Sequence, residues 1–131
     1  MKDVGIGPVS GEVLRWLRPI SFLGDVDPST GLLSSGGESA SVKGKVLVFP
    51  EGAGSTVGSY VVYNLKLEDN APVAMVMAKA DAIITIGCIL ADIPLVHRFP
   101  AEELASISTG DRAEVDPSSG TVKVWSKGRS L

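Results

Sequence analysis

The chain has 131 residues, 44% of them hydrophobic, and 12 Lys and Arg against 15 Asp and Glu give a formal charge of −3 at pH 7. That is enough for one domain with a sizeable core, and too apolar for general disorder. The mildly acidic balance, with no basic stripe interleaved with aromatics, argues against a nucleic-acid binder, and no apolar run approaches the ~20 residues of a membrane span. The single cysteine, Cys88, allows no internal disulfide and no self-contained thiolate metal site, and it fits a cytoplasmic setting. The start, Met1-Lys2-Asp3-Val4-Gly5, lacks the apolar stretch of a signal peptide.

Glycine (15) and proline (8) punctuate the chain into short elements. Residues 11–16 read as a first strand, and residues 19–24 as a short strand or arm ending in a turn. Asp27-Pro28-Ser29-Thr30-Gly31 carries turn chemistry, and Asp116-Pro117-Ser118-Ser119-Gly120 echoes it. Residues 34–41 are small and polar and are expected to form a mobile loop. Residues 45–50 are the clearest strand, with a continuous apolar run suited to a sheet covered on both faces. From Thr56 the period changes to that of a helix over Gly58–Leu67, ending before Pro72. Residues 73–77 and 82–86 read as buried strands, 87–91 as a short helix, and 94–96 as a short return strand. Residues 110–115 and 121–125 flank the second turn and read as strands, the last a half-exposed hairpin strand.

The strand–helix–strand run from Val46 to Met77 is a βαβ unit, but the rest is more β-rich than a doubly wound domain. An α/β fold is expected, with short strands in a compact sandwich or partly closed barrel and a few helices. One domain is expected over residues 1–131, with flexible ends at 1–10 and 126–131.

The chemistry concentrates in Glu51-Gly52-Ala53-Gly54-Ser55-Thr56, between strand and helix. Gly52 and Gly54 let backbone N–H groups line a concave surface, and Ser55 or Thr56 can cap the helix. The positive helix end favours a phosphate or carboxylate. A helix starting near Ser55 would set Ser59 one turn away on the same side. The loop is not a Walker A sequence, because no lysine lies between Glu51 and Asn64. On chemistry alone, a simple capped turn, an anion site and proton transfer by Ser55 all stay open. Asp25 and Asp27 either shape a turn or touch a substrate or partner, and Asp92 either closes a loop or faces the cleft. Lys43 and Lys45 offer charge to an anion or solubilise a strand edge. His97 is expected at the surface or an interface, and Cys88 in the core.

Several long segments in fixed order then carry a resemblance: PISFLGDVDP (19–28), KVLVFP (45–50), GSTVGSY (54–60), Ala71-Pro72 and IPLV (93–96). Over roughly residues 11–124 the chain resembles the small subunit of archaeal phosphomevalonate dehydratase, of the aconitase X group, and the swivelling domain of aconitase. The resemblance implies a β/β/α swivel fold and a two-chain hydro-lyase that dehydrates (R)-5-phosphomevalonate to trans-anhydromevalonate 5-phosphate in the archaeal mevalonate pathway of isoprenoid biosynthesis. It implies Ser55 as proton acceptor, with Gly54, Thr56 and Ser59 shaping an anionic substrate pocket. It also implies a large subunit that forms a heterodimer with this chain and carries an iron–sulfur cluster, expected as [4Fe-4S]. The family often has a basic residue just before Gly-Ser-Thr, where this chain has Ala53, which leaves a related hydroxyacid dehydratase open. A non-catalytic anion-binding swivel domain is the alternative of a different class.

Overall fold

The computed structural model describes residues 3–53 and 56–126. Among them run β1 (Val9–Arg15), α1 (Phe22–Asp25), β2 (Val26–Asp27), β3 (Leu32–Ser35), β4 (Glu38–Ser41), β5 (Lys45–Glu51), α2 (Gly58–Leu67), β6 (Ala74–Lys79), α3 (Ala82–Ala91), β7 (Leu95–Val96), α4 (Ala101–Ala105), β8 (Arg112–Asp116) and β9 (Thr121–Trp125). Six strands form one mixed sheet in the order β7-β6-β5-β1-β8-β9. The first four of that order are parallel, and β8 and β9 close it in antiparallel pairing. A second sheet, β2-β3-β4, lies apart. The mixed sheet curls part-way into a half-barrel, so the expected α/β fold with a partly closed barrel is the one observed.

The two-residue period of β5 explains the layers. Val46 and Val48 point to one face, and Leu47 and Phe49 to the other; all four are fully buried. The Leu47–Phe49 face meets Val61, Val62 and Leu65 of α2, Ile84 and Cys88 of α3, and Phe22, Val26 and Leu33 from the smaller sheet and its helix. The Val46–Val48 face meets Leu104 of α4 and the inward residues Ala113 and Val115 of β8. A strand apolar on both faces is therefore the sheet's centre, as its unbroken run predicts.

Three expectations change. Residues 82–86 form no strand; residues 82–91 are one helix. The β-branched run Ile83-Ile84-Thr85-Ile86 favours a strand locally, but Asp81 accepts the Ile84 N–H at 2.8 Å and caps a helix instead. Residues 19–24 are no simple arm, since Ser21 opens the helical turn α1. Residues 34–41 form the ordered hairpin β3–β4, latched by Arg18. Its Nη2 donates to Ser35 O at 2.6 Å and meets Glu38 at 2.9 Å. Gly36, at φ +60°, leaves room for that guanidinium, which a Cβ would approach to 2.7 Å. Near the start of the chain, Val4 and Leu95 exchange two backbone hydrogen bonds of 2.9 Å. At the other end, residues 127–131 lie outside the described residues.

The α2–α3 contact depends on Gly87, where an added Cβ would lie 3.0 Å from Val62 Cβ and 3.2 Å from Ser59 Cα. A Gly87→Val variant should lose about 1–3 kcal/mol of stability through overpacking. Urea unfolding of both proteins checks this, and an unchanged midpoint would show that the helices can separate at little cost.

Candidate active-site edge

The carboxyl ends of parallel strands are where open α/β sheets bind ligands. Here three helix starts converge at that edge. Beyond β5, Gly52 bridges Ile20 in parallel. The Ile20 N–H donates to Glu51 O at 3.1 Å and the Ala53 N–H to Ile20 O at 2.9 Å. The loop base is thus sewn to the segment entering α1. Gly52 also sits against the start of α3, where an added Cβ would stand 2.9 Å from Ile84 Cγ1 and 3.1 Å from Asp81 Oδ2. Gly58, the first residue of α2, packs between Phe22 and Ile83.

Gly54 and Ser55 lie outside the described residues. The structure does define what brackets them. Thr56 and Val57 make an exposed turn and α2 begins at Gly58, so Ser59 lies in its first turn. Thr56 does not cap the helix: its N-cap is Val57, with no side-chain cap bond. A helix start favours an anion through its first-turn N–H groups and its dipole. At the start of α3 Asp81 occupies that position.

Ser59 has a bracing role. Its hydroxyl is buried and donates to Thr56 O at 3.1 Å, closing the turn from below. Asp25 is likewise engaged. Its Oδ2 accepts the Ser21 N–H at 2.9 Å while Ser21 Oγ accepts the Gly24 N–H at 3.4 Å, a reciprocal cap that fixes α1 beside the loop. Asp27 is exposed and accepts both the N–H and the hydroxyl of Ser29, at 3.0 and 2.7 Å. Those bonds hold its carboxyl below the usual carboxylate range. It shapes the turn and does not share Asp25's surroundings.

Asp92 stands at the wrong end for the cleft. It is the left-handed C-cap of α3, φ 54°, a ten-residue helix or about 15 Å from Asp81. It lines a cleft of about 660 Å³ at the amino-terminal edge of the sheet, with Lys43, Lys66 and Asp69. That cleft faces the negative ends of α2 and α3, where a phosphate is disfavoured. Lys45 also lies near that edge and pairs with Glu12 at 3.6 Å.

His97 is buried, not at the surface. The N-terminal segment covers it: Asp3 Oδ1 accepts the His97 N–H at 3.2 Å and lies 3.6 Å from Nε2. Sequence reasoning named Gly52 as part of the loop but missed Asp81, which stands against it at the loop's base. The signal available was Asp81, an N-cap residue, ahead of a run whose helical character its β-branched residues masked.

Among the described residues, no three of His, Cys, Asp and Glu gather as a metal site. Cys88 does not fit a cluster ligand. It is wholly buried, its thiol lies 3.7 Å from Met75 Sδ, and burial pushes it up to about 12. It should therefore resist a thiol reagent at pH 8 in the native protein and react fully in guanidinium. Rapid native labelling would contradict its placement. No helix among the described residues is long and apolar enough to cross a membrane.

A curled mixed sheet with three helix starts gathered at the carboxyl ends of its parallel strands defines a swivel-type domain. The sequence profile of the aconitase X swivel domain matches residues 2–124, and the chain belongs to that family. Its relatives include phosphomevalonate dehydratase small subunits. That of Thermococcus kodakarensis is 43% identical over 130 residues, covering 97% of this chain and 95% of the relative. That of Methanococcoides burtonii is 40% identical over 129 residues, covering 96% and 94%. In structure the chain is similar to Thermococcus kodakaraensis aconitase X in its holo-form, with a TM-score of 0.88, 41% identity and 95% of each chain covered. It is also similar to a UPF0107 protein solved by solution NMR, with a TM-score of 0.86 and 39% identity over 95% of this chain and 96% of that one.

Proposed function

We propose that this chain is the small subunit of a two-subunit hydro-lyase that dehydrates (R)-5-phosphomevalonate to trans-anhydromevalonate 5-phosphate, with Ser55 as proton acceptor, in a cytoplasmic setting. The observation that carries this reading is the start of α2 at Gly58, directly after Gly54-Ser55-Thr56, in a chain of this family. In the reaction a carbon-bound proton passes to the Ser55 oxygen, the C–O bond breaks as the C=C bond forms, and the departing hydroxide takes up one proton to leave as water while Ser55 returns its own to solvent. Gly54 and the first N–H groups of α2 receive an anionic group of the substrate. Thr56 completes the turn and Ser59 braces it from within. An iron–sulfur cluster, expected as [4Fe-4S] on the large subunit, supplies Lewis-acid chemistry at the hydroxyl; the described residues of this chain do not offer its ligands.

Magnitudes show why a partner is needed. A helix start contributes about 0.3–1 kcal/mol toward an anion in an exposed setting. That is not enough alone to make a serine hydroxyl a base. The remaining stabilisation must come from groups on the large subunit or the substrate.

Ala53 stands where the family often has a basic residue, and that favours a second reading, in which a related hydroxyacid is the substrate. Co-expression with the large subunit and an assay of phosphomevalonate dehydration tests the proposal. A stable complex with turnover that requires both chains is expected. An assembled complex that turns over another hydroxyacid and not phosphomevalonate would favour the second reading. A complete cluster-bearing large subunit that neither binds this chain nor needs it would overturn both.

A further inference from the structure

We infer that the outer face of the α2–α3 pair is the seat of the large subunit; this rests on the two-subunit reading above. No charged residue lies between Asp81 and Asp92 in α3. A helix apolar all round belongs in an interior. Yet Ile86, Ile89 and Leu90 are 50%, 60% and 53% exposed. Beside them α2 presents Tyr60, Tyr63 and Leu67, at 63%, 37% and 64%. Each set follows the spacing of one helix face. The two faces adjoin because Gly87 lets α3 lie directly on Ser59 and Val62 of α2.

These six side chains, each 37–64% exposed, adjoin on one side of the molecule. Adjoining exposed apolar side chains of this kind mark interaction sites, whereas apolar residues scattered singly do not. Both faces of the main sheet pack their own layers, and among its described strands only the edge strand β9 exposes large apolar side chains, Val124 and Trp125.

The patch is continuous with the proposed site. Val57, 45% exposed, and Tyr60 follow directly on Thr56, and Leu23 of α1, 51% exposed, borders the same edge. A body that brings chemistry to a substrate held at the loop must approach this edge, and its next contact is Tyr60. Tyrosines among Ile and Leu, without Lys, Arg, Asp or Glu, suit the apolar centre of a permanent interface. A charged peptide or a nucleic acid would find no complementary charge there. A second copy of this chain could match the apolarity but would not complete the site.

The test compares Ile89→Asp and Leu90→Asp with Val124→Asp, a control on the exposed strand β9, in binding the purified large subunit. Thermal melts confirm that each variant is folded, and hydrogen–deuterium exchange maps the wild-type complex. The two helix variants should bind about 30-fold or more weakly, with the control unchanged. Residues 58–67 and 82–91 should gain protection in the wild-type complex. A wild-type pair that assembles and dehydrates substrate, with both helix variants binding normally and protection elsewhere, overturns this inference and leaves the functional reading standing. Failure of the wild-type chains to associate overturns both. A self-associated free chain that the Asp variants dissociate, with large-subunit binding unchanged, assigns the face to a second copy and also overturns the inference.

Discussion

Replacing Ser55 by Ala in the assembled two-chain enzyme should lower kcat about 10²–10⁴-fold, the usual contribution of a positioned general base. The loss should fall equally on kcat and kcat/KM, because the proton transfer occurs only in the transition state. Assembly should be intact, since the loop base is held by Ile20, Gly52 and Ala53 backbone bonds that do not involve the Ser55 side chain. Ser59→Ala offers the contrast. It removes one buried hydrogen bond to Thr56 O, worth about 1 kcal/mol, and should cost activity under tenfold through a looser turn. Steady-state kinetics on the purified pair measures both. Ser55→Ala turnover within threefold of wild type would remove Ser55 from the chemistry.

Phe49→Ala carries the largest expected effect on stability. Phe49 is fully buried at the carboxyl end of the central strand β5, and its ring meets Phe22 edge-on at 6.0 Å and 67°. Truncation leaves a cavity between the main sheet and α1, for a loss of about 3–5 kcal/mol. In a domain of this size that lowers Tm by roughly 10–20 °C. Because Phe22 also packs on Gly58, the cavity lies under the loop itself, so activity should fall further than the unfolded fraction explains. Phe49→Leu should recover most of the stability. A Phe49→Ala variant within about 1 kcal/mol of wild type would mean that α1 does not depend on this contact.

The parts of the fold that were legible are those whose local pattern and tertiary role agree. The apolar run Val46-Leu47-Val48-Phe49 predicts a strand covered on both faces, and the two core layers sit on it. The helix over Gly58–Leu67 follows from a 3.6-residue period that its buried face obeys. The last hairpin follows from alternation around Asp116 to Gly120, with Ala113 opposite Val124 and Val115 opposite Val122.

The illegible parts depend on distant partners. Residues 82–91 read as strand then helix because Ile83, Ile84 and Ile86 favour sheet, and only the Asp81 cap and packing on α2 decide otherwise. The hairpin β3–β4 is small and polar, and it is held by Arg18 from outside the segment. The burial of His97 comes from Asp3, 94 residues away in sequence. At the site, residue chemistry left a capped turn, an anion site and proton transfer open, and the structure puts the start of α2 at Gly58, beside the loop. The proton-acceptor role of Ser55 was legible only through the family resemblance. The same chemistry offered Asp92 as a cleft residue, and the fold puts it at the opposite edge.

The most direct measurement of the central claim is exchange of the proton that Ser55 is proposed to take. The assembled enzyme is incubated with phosphomevalonate in deuterium oxide, and deuterium at the carbon that loses its proton is followed by NMR. The wild-type pair should incorporate deuterium there as the reaction reverses, and the Ser55→Ala pair, with substrate still bound, should not. Incorporation by the Ser55→Ala pair at the wild-type rate would contradict the account.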